Sequence, residues 1–150
     1  MTRARRPMMS RRLLLRAVDA NVNRTREGLR VCEDLVRFCL ESRVLFQRMR
    51  AIRRALDRHL KQSTFTSVEL VRARRSPQDP GRTSVPLLAD SVEQLLLINL
   101  QRTKESLRVL EESSRVLSPQ QAEGFQHLRF QVYHAERTIL LFLATLRHPR

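Results

Sequence analysis

An eighteen-residue segment occurs twice in this chain, and this duplication constrains the fold more than any other feature. Residues 21–38 and residues 99–116 align at a constant offset of 78, with nine of the eighteen positions identical. The identical pairs are Asn21/Asn99, Arg24/Arg102, Thr25/Thr103, Glu27/Glu105, Leu29/Leu107, Arg30/Arg108, Val31/Val109, Glu33/Glu111 and Arg37/Arg115. Most of them are polar, whereas a duplicated scaffold is expected to retain mainly apolar residues. We therefore predict that the two copies together build one polar site.

Both copies carry the apolar spacing of an amphipathic helix. The seam residues alternate between spacings of four and three, and the same offset places a matching seam in the second copy. The first seam is Val18, Val22, Thr25, Leu29, Cys32, Val36 and Cys39, and the second is Leu96, Leu100, Thr103, Leu107, Leu110, Ser114 and Leu117. The pattern predicts helices at about 13–42, 44–62, 90–117 and 119–147, with an irregular connection at about 63–89.

Four helices joined by short, long and short connections predict an all-α fold. The expected architecture is a four-helix bundle built from two repeated αα-hairpins and a long crossover loop. We expect one domain at 13–147, with repeats at about 13–62 and 90–147, after a basic and disordered leader at 1–12. The internal symmetry is also compatible with a homodimer.

Local signals mark some helix ends, but the alignment between the second helices of the two halves remains open. Asp19 and Asp90 suit N-caps or first-turn acids, and Ser118-Pro119 resembles a helix end followed by a new N-terminus. The second helices of the two halves align in two ways. Residues 46–50 resemble residues 125–129, or Ile52-Arg53 resembles Leu128-Arg129.

The chain is strongly basic, with a formal net charge of +14. Of its 29 cationic residues only Lys61 and Lys104 are lysine, so 27 are arginine. Arginine grips phosphate bidentately, so the expected partner is nucleic acid or a small polyphosphate. Three glycines are too few for a glycine-rich phosphate loop. One tyrosine, no tryptophan and interleaved acids make a nucleic-acid-binding module the weaker alternative, beside a non-catalytic structural or regulatory subunit.

Cysteine usage and hydropathy predict the compartment. Cys32 and Cys39 lie seven residues apart on one predicted helix, roughly 10 Å between Cα atoms, which is too far for a disulfide. No apolar run approaches the length of a bilayer span. We expect a cytoplasmic protein with no membrane segment.

A helical wheel separates the duplicated polar residues into two groups. Asn21 falls within the apolar arc of the first helix, Arg24 on its edge and Glu27 just beyond it. The functional interpretation is that these residues face Asn99, Arg102 and Glu105 across a polar pocket. The alternative is a polar layer that sets the register of the bundle. The outer Arg30 and Asp34 are expected to form ordinary helix-surface ion pairs.

The motifs resemble a small family of thiamine-biosynthesis enzymes. The matching residues are Asp19-Ala20-Asn21-x-Asn23-Arg24-x-x-Glu27-x-Leu29-Arg30-Val31-x-Glu33-Asp34, Asn99-x-x-Arg102-x-x-Glu105-x-Leu107-Arg108-x-x-Glu111-Glu112, Asp79-x-Gly81, and Leu128-Arg129-Phe130-x-x-Tyr133-x-x-Glu136. They resemble the monofunctional hydroxymethylpyrimidine phosphate kinase family, which occurs alone or fused ahead of thiamine phosphate synthase. The resemblance covers residues 12–145 and implies a standalone member with a functional link to that synthase.

The resemblance implies that ATP phosphorylates 4-amino-5-hydroxymethyl-2-methylpyrimidine phosphate to the diphosphate. For this reaction we expect Mg²⁺ and an arginine clamp on the phosphates. The expected clamp consists of Arg24, Arg102 and Arg129, with Arg53 as a weaker member. Glu27 and Glu105, or Glu111, are expected to hold Mg²⁺. The pyrimidine is expected to contact Asn21 and Asn99 and to stack on Tyr133, and Asp79 and Gly81 are expected to form a binding turn. One departure stands out, because Arg75 follows Arg74 where the family has an Arg-Asp pair.

Overall fold

The computed structural model describes residues 8–149, and their side chains from residue 11 onward. Its helices are α1 (Met8–Phe38), α2 (Arg43–Gln62), α3 (Ser67–Ala73), α4 (Val92–Leu117) and α5 (Pro119–Arg147). A single 3-10 turn, Ser76–Gln78, lies between α3 and α4. No strand occurs within the described residues, so the predicted all-α class is confirmed.

The four long helices form a closed ring. α1 packs against α2 and α4, and α5 packs against α4 and α2, so that each helix of the hairpin α1–α2 packs against one helix of the hairpin α4–α5. The predicted seams meet in the core, where Val18 and Leu29 of α1 and Leu96 and Leu107 of α4 are buried. This packing brings the two copies of the duplicated segment into direct contact. None of the helices described is both long and apolar enough to cross a bilayer.

Two of the expected helix starts were wrong. α1 begins at Met8, so residues 8–12 are helical rather than part of a leader, whereas residues 1–7 lie outside the described part of the chain. Asp19 is therefore buried in the middle of α1 and does not cap it. The N-cap of α4 is Ser91, whose side chain accepts from the backbone N–H of Gln94. Ser118 does separate α4 from α5, and Pro119 is the first residue of α5, as predicted.

The connection between the hairpins contains a helix that its composition did not indicate. Thr66 caps α3 by accepting from the N–H of Glu69, and Leu70 and Ala73 are buried where α3 packs on α1. At seven residues α3 is too short to show a clear apolar period. Its packing places the following residues, Arg74 and Arg75, beside the middle of α1.

The structure determines which residues of α2 and α5 are equivalent in the repeat. Glu33 and Glu111, identical in the duplicated segment, accept hydrogen bonds from Arg53 and Arg129 respectively. Ile52-Arg53 is therefore the counterpart of Leu128-Arg129. In each hairpin an equivalent carboxylate–guanidinium pair joins the two helices.

Candidate active site

A cleft of about 620 Å³ opens between α1 and α4, along the duplicated segment. We call it the paired cleft. Its walls carry the same three residues from each copy, namely Asn21, Arg24 and Glu27 with Asn99, Arg102 and Glu105. Ser84, Val85, Pro86 and Leu87 of the connection border it. Its volume lies in the range of small-molecule sites.

The two asparagines are buried at the base of this cleft, with exposed fractions of 5% and 6%. Asn21 donates through Nδ2 to the carbonyl of Ala17 at 2.8 Å, and Asn99 donates to that of Leu95 at 2.9 Å. The two amides thus bond to their own helices and not to each other. A register-setting Asn–Asn layer was the structural alternative, and this geometry does not support it. Among the described residues the Oδ1 of Asn99 has no hydrogen-bond donor, so an acceptor is left for a ligand.

Small residues let α1 and α4 approach closely beneath the asparagines. Thr25 and Thr103 are fully buried, and each hydroxyl donates to the carbonyl of the asparagine one turn earlier. The hydroxyl of Ser106 lies 2.7 Å from that of Thr25. At the position equivalent to Ser106, Gly28 lies so close to α4 that an added Cβ would lie 2.4 Å from Thr103 Oγ1.

We expect Gly28→Ala to destabilise the protein by about 1–3 kcal/mol, because the new methyl group forces apart two helices that are packed through buried hydroxyls. Thermal unfolding followed by circular dichroism measures this. Gly81→Ala is the matched control, since an added Cβ at Gly81 meets no atom nearer than 3.5 Å. Equal melting temperatures for the two variants would contradict the close approach of α1 to α4 at Gly28.

The two cleft arginines differ from Arg30 and Arg108 of the same duplicated segment. Within residues 11–149 neither Arg24 nor Arg102 forms a salt bridge, and the closest polar contact of Arg24 is a long 3.5 Å approach to Asn21. Arg30 and Arg108, by contrast, pair with acids one turn along their own helices, as predicted. The guanidinium groups of the cleft are therefore available to an anion.

A second cleft of about 360 Å³ adjoins the first and shares Asn21 and Arg24 with it. We call it the arginine cleft, because Arg16, Arg24, Arg74 and Arg75 all line it together with Asp19 and Asp79. Asp79 accepts from the N–H of Gly81 at 2.9 Å and so shapes the turn, whereas Gly81 lines neither cleft. Sequence reasoning missed Arg16, Arg74 and Arg75, because only the fold of the connection brings Arg74 and Arg75 to the side of α1 that carries Arg16.

Asp19 and Arg74 anchor the connection to α1. Arg74 donates to both carboxylate oxygens of the buried Asp19, at 2.7 Å and 2.8 Å. This hydrogen bond, with the charge of Asp19, raises the pKa of Arg74 above its usual value. The bidentate pair fixes the position of the neighbouring Arg75 at the rim of the arginine cleft.

Besides Gly81, four of the predicted site residues lie outside both clefts, and their expected roles do not fit the structure. Arg129 is 8% exposed and Glu111 fully buried, and they bond to each other at 3.0 Å between α5 and α4. Glu111 also accepts from Arg115, so both of its oxygens are occupied and none is left for Mg²⁺. Arg53 is likewise bound to Glu33. Tyr133 accepts from Arg129 on α5 and lines neither cleft.

The pKa of Arg129 reflects this interior pairing. Burial by itself lowers it, but hydrogen bonds to Tyr133 and Glu111 together outweigh that effect and raise the pKa above its usual value. Arg129 therefore stays charged inside the hairpin. It is a structural cation and not a phosphate clamp.

The acidic groups of the clefts are few. No cluster of three or more His, Cys, Asp or Glu side chains suited to a metal ion occurs in the described part of the chain. Glu27 and Glu105 line the same cleft from opposite helices, and Glu105 accepts from Gln101 at 2.9 Å. Mg²⁺ in nucleotide enzymes is commonly held by one or two carboxylates plus substrate phosphates and waters. Glu27 and Glu105 are therefore the carboxylates of the paired cleft that could hold such an ion.

The fold and the clefts define an all-α protein whose polar site is built from two related helices. Residues 16–138 match the model of the ThiD2 family, and the chain belongs to this family of thiamine biosynthesis. The expected resemblance is thereby confirmed at the level of the pathway.

Similar proteins are longer than this chain. It is 37% identical over 130 residues to the thiamine-phosphate synthase of Synechocystis sp., covering 85% of this chain and 36% of that protein. It is 31% identical over 158 residues to the thiamine-phosphate synthase of Gloeobacter violaceus, covering 95% of this chain and 44% of that protein. The chain thus spans less than half of these relatives. No solved structure matches it significantly.

Proposed function

We propose that this protein transfers the γ-phosphoryl group of ATP to 4-amino-5-hydroxymethyl-2-methylpyrimidine phosphate and forms the diphosphate. The observation that carries the proposal is the paired cleft, where two arginines without carboxylate partners among residues 11–149 lie beside two buried asparagines. Such a site offers cations to phosphates and amide groups to a polar heterocycle. Family membership supplies the pathway.

The chemistry requires little more than positioning and charge. A phosphate monoester is already ionised at neutral pH, so its oxygen can attack the γ-phosphorus without a general base. The bond from that phosphorus to the leaving ADP oxygen breaks as the new phosphoanhydride bond forms. Arg24 and Arg102, facing each other across the cleft, would hold the two reacting groups and offset their mutual repulsion.

Glu27 and Glu105 are the proposed magnesium ligands, through water. A magnesium ion held there would supply positive charge to the phosphates during transfer. Glu111, the alternative ligand expected from the sequence, is not used, because it is buried and both of its carboxylate oxygens accept hydrogen bonds from arginines.

The pyrimidine ring would be recognised by Asn21 and Asn99. The exocyclic amino group is a donor, and the Oδ1 of Asn99 has no donor among the described residues. Val85 and Leu87 give this cleft an apolar border that suits a flat ring. We further propose a cytoplasmic location and use of the product by a thiamine phosphate synthase.

A coupled ADP-release assay tests the proposal across three acceptors. We expect turnover with the pyrimidine phosphate and none with free hydroxymethylpyrimidine or with the nucleoside monophosphate uridine monophosphate, because only the first carries both a phosphate and an aminopyrimidine. ADP release that is independent of any acceptor would point to a hydrolase. Release with the nucleoside monophosphate alone would reject the assigned substrate.

A further inference from the structure

We infer that the arginine cleft binds the polyphosphate of the nucleotide, while the paired cleft binds the pyrimidine phosphate. The inference rests on the proposed function and assigns the phosphoryl donor, ATP, and the acceptor, the pyrimidine phosphate, to separate clefts. The two clefts meet at Asn21 and Arg24, which line both. The terminal phosphoryl group of the nucleotide would therefore reach the paired cleft beside Arg24, where the proposed magnesium ligands Glu27 and Glu105 lie.

The charges of the two clefts differ. The arginine cleft has four arginines against two aspartates, a surplus of two positive charges, whereas the paired cleft has two arginines against two glutamates and is balanced. A triphosphate is the more negative of the two substrates. Electrostatic complementarity therefore places it at the arginine cleft.

Two cations of the arginine cleft remain available to a ligand. Arg74 is committed to Asp19 by two hydrogen bonds. Within residues 11–149, however, Arg16 and Arg75 have neither a salt bridge nor a side-chain hydrogen bond. Guanidinium groups in such a position form strong, charge-assisted hydrogen bonds to phosphate oxygens.

The duplication itself distinguishes the arginine cleft from the paired cleft. At the offset of 78, Arg16 and Asp19 correspond to Gln94 and Leu97, so the second repeat cannot build an arginine cleft. Asn23 lines the arginine cleft, whereas its counterpart Gln101 bonds to Glu105 on the surface of α4. The paired cleft, to which both repeats contribute equivalent residues, therefore differs from the arginine cleft in what it can bind.

Isothermal titration calorimetry with each substrate separately tests this division. We expect Arg75→Ala to weaken binding of Mg-ATP by about tenfold or more, with binding of the pyrimidine phosphate unchanged within about twofold. Arg102→Ala should show the reverse pattern, because Arg102 lines only the paired cleft. Arg16→Ala is a second probe of the arginine cleft and should resemble Arg75→Ala.

Arg72→Ala is the matched control. Arg72 is exposed on α3, lines neither cleft, and lies three residues before Arg75, so its removal changes net charge alone. If Arg75→Ala weakens the pyrimidine phosphate instead of Mg-ATP, or resembles Arg72→Ala, the division is overturned while the proposed function stands. If the wild-type protein binds neither substrate, both fail. Circular dichroism establishes that each variant is folded.

Discussion

Replacing Arg24 or Arg102 with alanine is expected to lower the turnover number by roughly 100-fold or more while helical content stays unchanged. Both side chains are exposed at the paired cleft and, among the described residues, make no salt bridge, so the fold does not depend on them. In the proposed reaction each would stabilise phosphate charge from its own side of the cleft. Steady-state kinetics with ATP and the pyrimidine phosphate measure this effect.

Arg30→Ala and Arg108→Ala are the matched controls, because they remove the same side chain from the same duplicated motif. Both arginines form exposed ion pairs, with Asp34 and Glu112, that contribute little to stability. Their turnover numbers should stay within about twofold of wild type. If Arg24→Ala and Arg102→Ala behave like these controls, the paired cleft is not the active site.

Glu111→Ala should lower the free energy of unfolding by about 3–5 kcal/mol, because it leaves the guanidinium of Arg129 buried without its carboxylate. Glu111 is fully buried and bonds both Arg129 and Arg115. Urea denaturation followed by circular dichroism gives the difference directly.

The adjacent Glu112→Ala is the control, since Glu112 is half exposed and pairs only with surface arginines. Its loss should cost less than about 1 kcal/mol. Glu33→Ala should give an intermediate loss, because its partner Arg53 is more exposed than Arg129. A Glu111→Ala variant no less stable than Glu112→Ala would contradict the structural role given to Glu111.

The duplicated segment predicted much of the fold and the position of the paired cleft. Its apolar spacing identified the core faces of α1 and α4, and the position of Asn21 and Arg24 at the edge of that face predicted a shared cleft. This worked because two related helices packed face to face necessarily bring equivalent residues together. Identity at polar positions therefore carried three-dimensional information.

Other residues could not be assigned from the sequence. Arg53 and Arg129 lie at the border of an apolar face, as Arg24 does, but a buried carboxylate on the neighbouring helix binds each of them. Helical spacing cannot distinguish an arginine that faces a ligand from one that faces a buried acid. The arginine cleft was missed for another reason, because Arg74 and Arg75 reach α1 only through the packing of the short helix α3.

The most direct measurement is ³¹P nuclear magnetic resonance of a reaction containing the protein, Mg-ATP and 4-amino-5-hydroxymethyl-2-methylpyrimidine phosphate. Transfer of the γ-phosphoryl group predicts that the monoester resonance disappears while two coupled diphosphate resonances of the pyrimidine product and those of ADP appear together. An unchanged monoester resonance, whether ATP stays intact or is converted to ADP and inorganic phosphate, would contradict the proposed reaction.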